Sequence, residues 1–155
     1  MRLVGSYQGD GRRLARVRGA DYAAGCALFW AEGSRERNTV KLTNSDPELV
    51  ASFRRFLTDH FAIPPGAFAI RCNLFAEDDV ERERIGCFWL SRLDLPPTCL
   101  RKSTVNVHSS YSKKKRTNKL PYGTCALIVY NTRIVQTLYG SIQELGRFDR
   151  PAWLD

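Results

Sequence analysis

Residues 24–34, AGCALFWAEGS, form a small, apolar run that stops on an acid and a glycine, and the reading of that run decides the fold. The pattern predicts a helix from about residue 20 to Gly33, capped by Asp21 and closed by Gly33 in a left-handed turn. Ala23, Ala27 and Ala31 recur one turn apart and leave a nearly bare stripe. Such a stripe lets a second helix approach closely. Leu28 lies beside it, while Phe29 and Trp30 flank it and are expected against the domain's own sheet. Glu32 then stands at the foot of the seam. A carboxylate at a helix C-terminus opposes the macrodipole by roughly a few tenths of a kcal/mol. Two arrangements resolve that conflict. One is an ion pair with Arg35 or Arg37 in solvent; the other is a divalent cation drawn by both the carboxylate and the free carbonyls of the last turn.

Outward from this helix, the chain alternates helix and strand. Residues 38–44, NTVKLTN, alternate apolar Val40 and Leu42 with polar neighbours and predict a half-buried strand. In the next segment Ser45 and Glu48 match a capping box and Pro47 falls in the first turn. Leu49, Phe53, Phe56 and Leu57 then make an apolar face, with Arg54 and Arg55 opposite. Residues 67–76 predict a strand with Phe68, Ile70, Cys72 and Leu74 on one side. Residues 77–95 predict a helix that buries Ile85, Phe88, Trp89 and Leu93. The acids at its start (Asp78, Asp79, Glu81 and Glu83) serve as macrodipole partners rather than a metal site. Two further strands, near residues 98–109 and 123–131, are expected as a hairpin around the polar loop YSKKKRTNKLPYG (111–123). The last helix, 132–146, carries Ile134, Leu138, Ile142 and Leu145 at helical spacing and closes on Gly146. With neighbouring strands antiparallel, the fold class is α+β. The expected organisation is a basic arm or strand over 1–19, one domain over 20–146, and a tail over 147–155.

The 155 residues suffice for one domain with a real core. No apolar run approaches the roughly 18 residues of a membrane span, and the N-terminus lacks a signal-peptide core, so no membrane partner and a cytoplasmic, nucleoid-associated location are expected. The five cysteines are odd in number and widely spaced, which argues against a zinc site or a disulfide framework and for small buried hydrophobes. The formal charge of +8 points to a polyanion. That charge is segregated: residues 99–120 hold seven Lys or Arg and no acid. Within it Arg101, Lys102, Lys113, Lys114, Lys115, Arg116 and Lys119 are expected on phosphates, which position without specifying. Base readout would fall to outward strand residues: Lys41, Arg71, Asn73, Lys102, Thr104 and Asn106. Tyr111 and Tyr122 beside the basic loop leave stacking on unpaired RNA bases open.

GCALFWAEG (25–33) resembles the LAGLIDADG helix of homing endonucleases: Ala27 and Ala31 match its small packing positions, and Glu32–Gly33 match its acid and closing glycine. VKLTNSDPELVASFRRFL (40–57) is similar to the strand and capped helix that follow the motif in that family, and the likeness extends over about residues 20–146. It implies a saddle-shaped antiparallel sheet along the major groove of double-stranded DNA. It also implies a homodimer paired through Ala23, Ala27, Leu28 and Ala31, because this chain has one motif. Glu32 and the Ala31 carbonyl would hold Mg²⁺ (or Mn²⁺) for phosphodiester hydrolysis. The supporting basic residue would be Lys119 or Lys41. The chain departs from the pattern in carrying Glu for Asp and Trp30 for a polar residue. The implied function is a sequence-specific DNA endonuclease. The alternatives are a catalytically inactive, regulatory DNA-binding protein of the same fold, or an RNA-binding or RNA-processing relative.

Overall fold

The N-terminal residues form a helix. In the computed structural model, which describes residues 2–74, 78–102, 104–105 and 121–155, helix α1 spans Arg2–Val17. This overturns the arm or strand expected over 1–19. Val4, Gln8 and Gly11 are buried and Tyr7, Leu14 and Ala15 half-buried, a helical stripe that the interspersed glycines and arginines obscure. The remaining elements are α2 (Ala20–Glu32), β1 (Val40–Asn44), α3 (Pro47–Phe61), β2 (Ala69–Leu74), α4 (Asp79–Leu93), β3 (Thr104–Val105), β4 (Thr124–Val129) and α5 (Thr132–Gly146). The architecture is therefore α+β, as expected.

Helix α1 lies against α5 so closely that the backbones touch. A Cβ on Gly11 would sit 1.9 Å from the Thr137 carbonyl oxygen, and one on Gly140 would sit 1.9 Å from that of Gln8. This contact explains why α5 is buried continuously from Ile134 to Gln143. One side faces the core through Ile134, Leu138 and Ile142; the other faces α1 and carries Gln136, Ser141 and Gln143. The polar groups are paired, as burial requires. The Gln8 amide donates to Gln136 Oε1 at 2.8 Å, Gln143 Nε2 donates to Gln8 Oε1 at 3.0 Å, and Ser141 Oγ donates to the Gly11 carbonyl at 2.8 Å.

The sheet order is β1-β4-β2-β3. Strand β4 runs antiparallel between β1 and β2, with Leu127 opposite both Leu42 and Ile70. Val40, Leu42, Ile70, Cys72, Cys125, Leu127 and Val129 turn to one face and join α2–α5 in a single core. Because β4 is central, residues Cys125–Val129 are all buried, which accounts for its continuous apolar sequence. The expected antiparallel hairpin is corrected at the other edge: β3 pairs with β2, and in parallel, through Asn73–Thr104 and Leu74–Val105. Helix α4 provides the crossover that a parallel pair needs.

Several boundary signals resolve differently from the sequence expectation. Gly19, not Asp21, is the N-cap of α2. Helix α3 is capped by Asp46, whose side chain accepts from the Glu48 N–H at 3.0 Å, so the cap falls one residue after Ser45. Gly33 is extended (φ −80°, ψ 155°) rather than left-handed; the position needs glycine because a Cβ would meet the Phe29 carbonyl oxygen at 2.5 Å. Arg147, with φ 58°, closes α5 in place of Gly146. Residues 147–155 do not trail away. A 3-10 turn over Pro151–Leu154 sets Trp153 on Tyr139, ring centroids 5.0 Å apart, and Arg37 donates to the Leu154 carbonyl at 3.2 Å. Four cysteines are buried as expected, but Cys87 is exposed. Among the described residues no helix is long and apolar enough to cross a membrane.

Candidate metal and nucleic-acid site

Helix α2 buries Tyr22, Gly25, Cys26 and Phe29. Phe29 stacks on Phe53 of α3, centroids 5.7 Å apart and planes 4° apart. The opposite face is left to solvent: Ala24, Ala27, Ala31 and Glu32 are exposed, and Ala23 and Leu28 half-buried. All four residues expected at a helix pairing, Ala23, Ala27, Leu28 and Ala31, therefore retain accessible surface. Trp30 departs from expectation. It is 41% exposed and leans on Phe148, at 5.4 Å between centroids, instead of packing on the sheet. With Ala23, Cys26, Ala27, Ile142 and Leu145 it lines an apolar groove between α2 and α5.

Glu32 ends this face. The chain after it is stitched to edge strand β1: Gly33 bridges Leu42, and the Ser34 N–H donates to the Lys41 carbonyl at 2.8 Å. Neither arginine considered as its ion-pair partner takes that role. Arg35 folds back over the end of α2 and donates to the carbonyls of Phe29 (3.4 Å), Gly33 (3.0 Å) and Trp30. Arg37 binds the C-terminal carbonyls of Leu154 and Asp155. What reaches Glu32 is a neutral amide: Asn44 Nδ2 donates to Oε2 at 3.2 Å. The macrodipole conflict is thus met by Arg35 on the carbonyls. That corrects the idea that the whole last turn offers free carbonyls to a cation. Among the described residues Arg35 leaves that of Ala31.

A carboxylate and a backbone carbonyl are the hard oxygen donors that Mg²⁺ or Mn²⁺ takes, and they fall short of the six or so such an ion seeks. The donor types fit; a full shell requires ligands from outside one chain. Among the described residues no group of three or more His, Cys, Asp or Glu could hold an ion.

The face of the sheet opposite the core carries Lys41 and Thr43 on β1, Ala69, Arg71 and Asn73 on β2, and Thr124, Ala126 and Ile128 on β4. Lys41, Arg71 and Asn73 thus share one face, with Arg71 and Asn73 exposed and Lys41 half-buried. Its middle is not polar: Ala69, Ala126 and Ile128 are buried. Arg101 and Lys102 are exposed beside β2, where the Arg101 N–H donates to the Ile70 carbonyl at 2.8 Å and its guanidinium to the Thr98 carbonyl at 2.7 Å. Thr104 is placed by its backbone pairing with Asn73. Asn106, Lys113, Lys114, Lys115, Arg116 and Lys119 lie outside the described residues, as does Tyr111. Tyr122 is committed within the fold. It stacks on Phe88 with centroids 3.7 Å apart and planes 3° apart, which takes up one face of its ring.

Sequence reasoning missed Asn44 as the residue that reaches Glu32, and it named Arg35 as an ion-pair partner where the structure sets it on the carbonyls at the end of α2. The run TNSDP at 43–47 held a signal for the first, an Asn ending a strand two residues before a helix cap. Compared with family models, curated proteins and solved structures, the chain matches none, and the functional reading rests on its own residues.

Proposed function

We infer that the chain is a divalent-metal-dependent DNA endonuclease of LAGLIDADG type that acts as a homodimer. The observation that carries this is the state of Glu32: an exposed carboxylate at the end of an exposed helix face, oriented by Asn44 and without an ion pair among the described residues, while both adjacent arginines turn to carbonyls. In this reading two α2 helices pack along Ala23, Ala27, Leu28 and Ala31 and bring two Glu32 side chains together. The second copy and the DNA phosphates supply the ligands that one chain lacks. Bound Mg²⁺ or Mn²⁺ would provide Lewis acidity toward the scissile phosphate. The chain's own part is to hold that charge with Glu32 and the Ala31 carbonyl. Its outer sheet face would lie along the major groove as a saddle, with Lys41, Arg71 and Asn73 turned to the duplex and Lys102, Thr104 and Asn106 as the further expected contacts. Lys41 or Lys119 would stabilise the charge that develops on the phosphate.

A second reading has an observation of its own. The Asn44–Glu32 hydrogen bond ties α2 to the end of β1, a structural task that explains the acid without a metal. It supports a catalytically inactive, regulatory DNA-binding protein of the same fold. Incubating the protein with supercoiled plasmid and a genomic-fragment library, in Mg²⁺ or in EDTA, separates the two. The endonuclease gives metal-dependent breaks that Glu32→Gln reduces at least 10³-fold, on the order of the loss expected for a group acting only in the transition state, with DNA retention intact. Retention without breaks in either protein assigns the regulator.

A further inference from the structure

We propose that Asn44 is the positioning residue for the Glu32 carboxylate; the proposal rests on the metal-dependent reading of Glu32 given above. Asn44 is the last residue of β1 and stands opposite Cys125 of β4, so its backbone is fixed by the sheet. Its side chain is fixed as well. Oδ1 accepts from the Asp46 N–H at 2.9 Å, which leaves Nδ2 as the end that faces Glu32 and donates to Oε2 at 3.2 Å. Asp46 is itself the N-cap of α3. The amide therefore bridges three elements, the end of α2, the end of β1 and the start of α3, and each of its polar atoms is used in one direction.

The chemistry of the donor matters. A glutamate has three rotatable side-chain bonds, and freezing them on ligand binding costs conformational entropy. A hydrogen bond already in place lowers that cost. An arginine or lysine could also hold the carboxylate, but its charge would repel a cation at the same oxygen atoms. A neutral amide orients Glu32 and leaves its negative charge and its second oxygen, Oε1, for a hard cation. Outer-shell hydrogen bonds of this kind typically change metal affinity by roughly 10–100-fold.

The test uses Asn44→Ser. A serine hydroxyl can still accept from the Asp46 N–H, preserving the entry to α3, but it is too short to reach Glu32. Mn²⁺ binding to the protein, with duplex DNA present to supply the phosphates that the site lacks, is followed by loss of the free-ion electron paramagnetic resonance signal against a DNA-only blank, with Glu32→Gln and Asn44→Ala alongside. Asn44→Ser should raise the Mn²⁺ concentration for half-saturation about tenfold or more. Half-maximal plasmid nicking should move by the same factor, with the unfolding midpoint and DNA retention unchanged. Asn44→Ala should give the same Mn²⁺ shift, with a lower midpoint because the Asp46 acceptor is also lost. If Asn44→Ser binds Mn²⁺ like the wild type while Glu32→Gln does not, the positioning role is overturned and the metal reading stands. If wild type and Glu32→Gln bind Mn²⁺ equally, or neither binds it, the metal reading fails and the proposal falls with it.

Discussion

Cys26 sits where α2 meets α5, with Tyr22 and Ser141 beside it, and burial pushes its thiol up to about 12. The unfolded thiol ionises in its ordinary range near 8.5. A folded-state value above the unfolded one gives stability that is complete at lower pH and is lost as pH rises toward the folded value. Between the ordinary thiol range and about 12, Cys26 should therefore lower unfolding free energy by about 1.4 kcal/mol per pH unit. Tyr139, also pushed up to about 12 by burial, adds to the slope above the ordinary phenol range. Urea titrations from pH 7 to pH 11 should show the decline, and Cys26→Ala should make its first part shallower, the remainder coming from Cys99 and Cys125, whose thiols are also raised. An equal slope in that variant would mean that the thiol ionises freely in the native state. At the same scale the basic side chains divide by what they touch. On α1, Arg12 pairs with Glu144 (3.4 Å) and Asp149 (2.5 Å), Arg13 with Asp10, and Arg16 with Glu144 (3.2 Å). Arg18 donates to His60 Nδ1 at 2.8 Å. Arg12, Arg16 and Arg18 thus reach from the N-terminal helix region to other elements, while Arg13 pairs within α1. Among the described residues Lys41, Arg71 and Lys102 make no ion pair and remain available to a polyanion.

At the level of elements, the α1–α5 pair rests on backbone contact at two glycines. Gly140→Ala forces a methyl into the Gln8 carbonyl, which neither helix can yield without separating. Alanine improves a helix over glycine by about 1 kcal/mol, but overpacking costs roughly 1–3 kcal/mol or more, and with a 1.9 Å approach to backbone the clash prevails. Gly9→Ala offers the control, since the nearest atom to its Cβ would be Arg13 Nη1 at 3.8 Å. Chemical denaturation should place Gly140→Ala below the wild type by about 2 kcal/mol or more and Gly9→Ala slightly above it. Two variants of equal stability would show that α1 moves freely on α5. The same comparison of elements explains the sequence expectations that failed. The periodicity of α5 announced one apolar face, and its polar positions, Gln136, Thr137, Ser141 and Gln143, gave no sign that a second helix would cover them.

For the molecule as a whole, the open question is what covers α2. The homodimer reading makes a sharp demand on Ala27. It is exposed in the single chain, so Ala27→Arg should change monomer stability by no more than about 0.5 kcal/mol while preventing the pairing that the nuclease needs. Sedimentation velocity should find a dimer for the wild type and a monomer for the variant. A wild-type monomer, or a variant dimer, would remove α2 as the pairing surface. The C-terminal turn bears on this surface too. Phe148 supports exposed Trp30, and Trp153 stacks near Arg35, 5.6 Å from its guanidinium, so residues beyond α5 help shape the groove beside the seam.

The sequence by itself determined the local features to within a few residues: helices near 20–33, 44–61, 77–95 and 132–146, strands near 38–44, 67–76 and 123–131, and the small-residue face of α2 ending on Glu32. Periodicity and turn chemistry act within a few residues of the chain, and there the reading of Val40, Leu42, Phe53, Ile70 and Trp89 as buried held. Tertiary structure decided what lies far apart in sequence. It turned residues 2–17 into a helix because α5 offers a face for it. It placed β4 between β1 and β2 and set β3 parallel to β2. It sent Arg35 to the end of α2 and Arg37 to the C-terminus while bringing Asn44 to Glu32. No local pattern encodes those choices, because each depends on a partner that only the folded chain delivers.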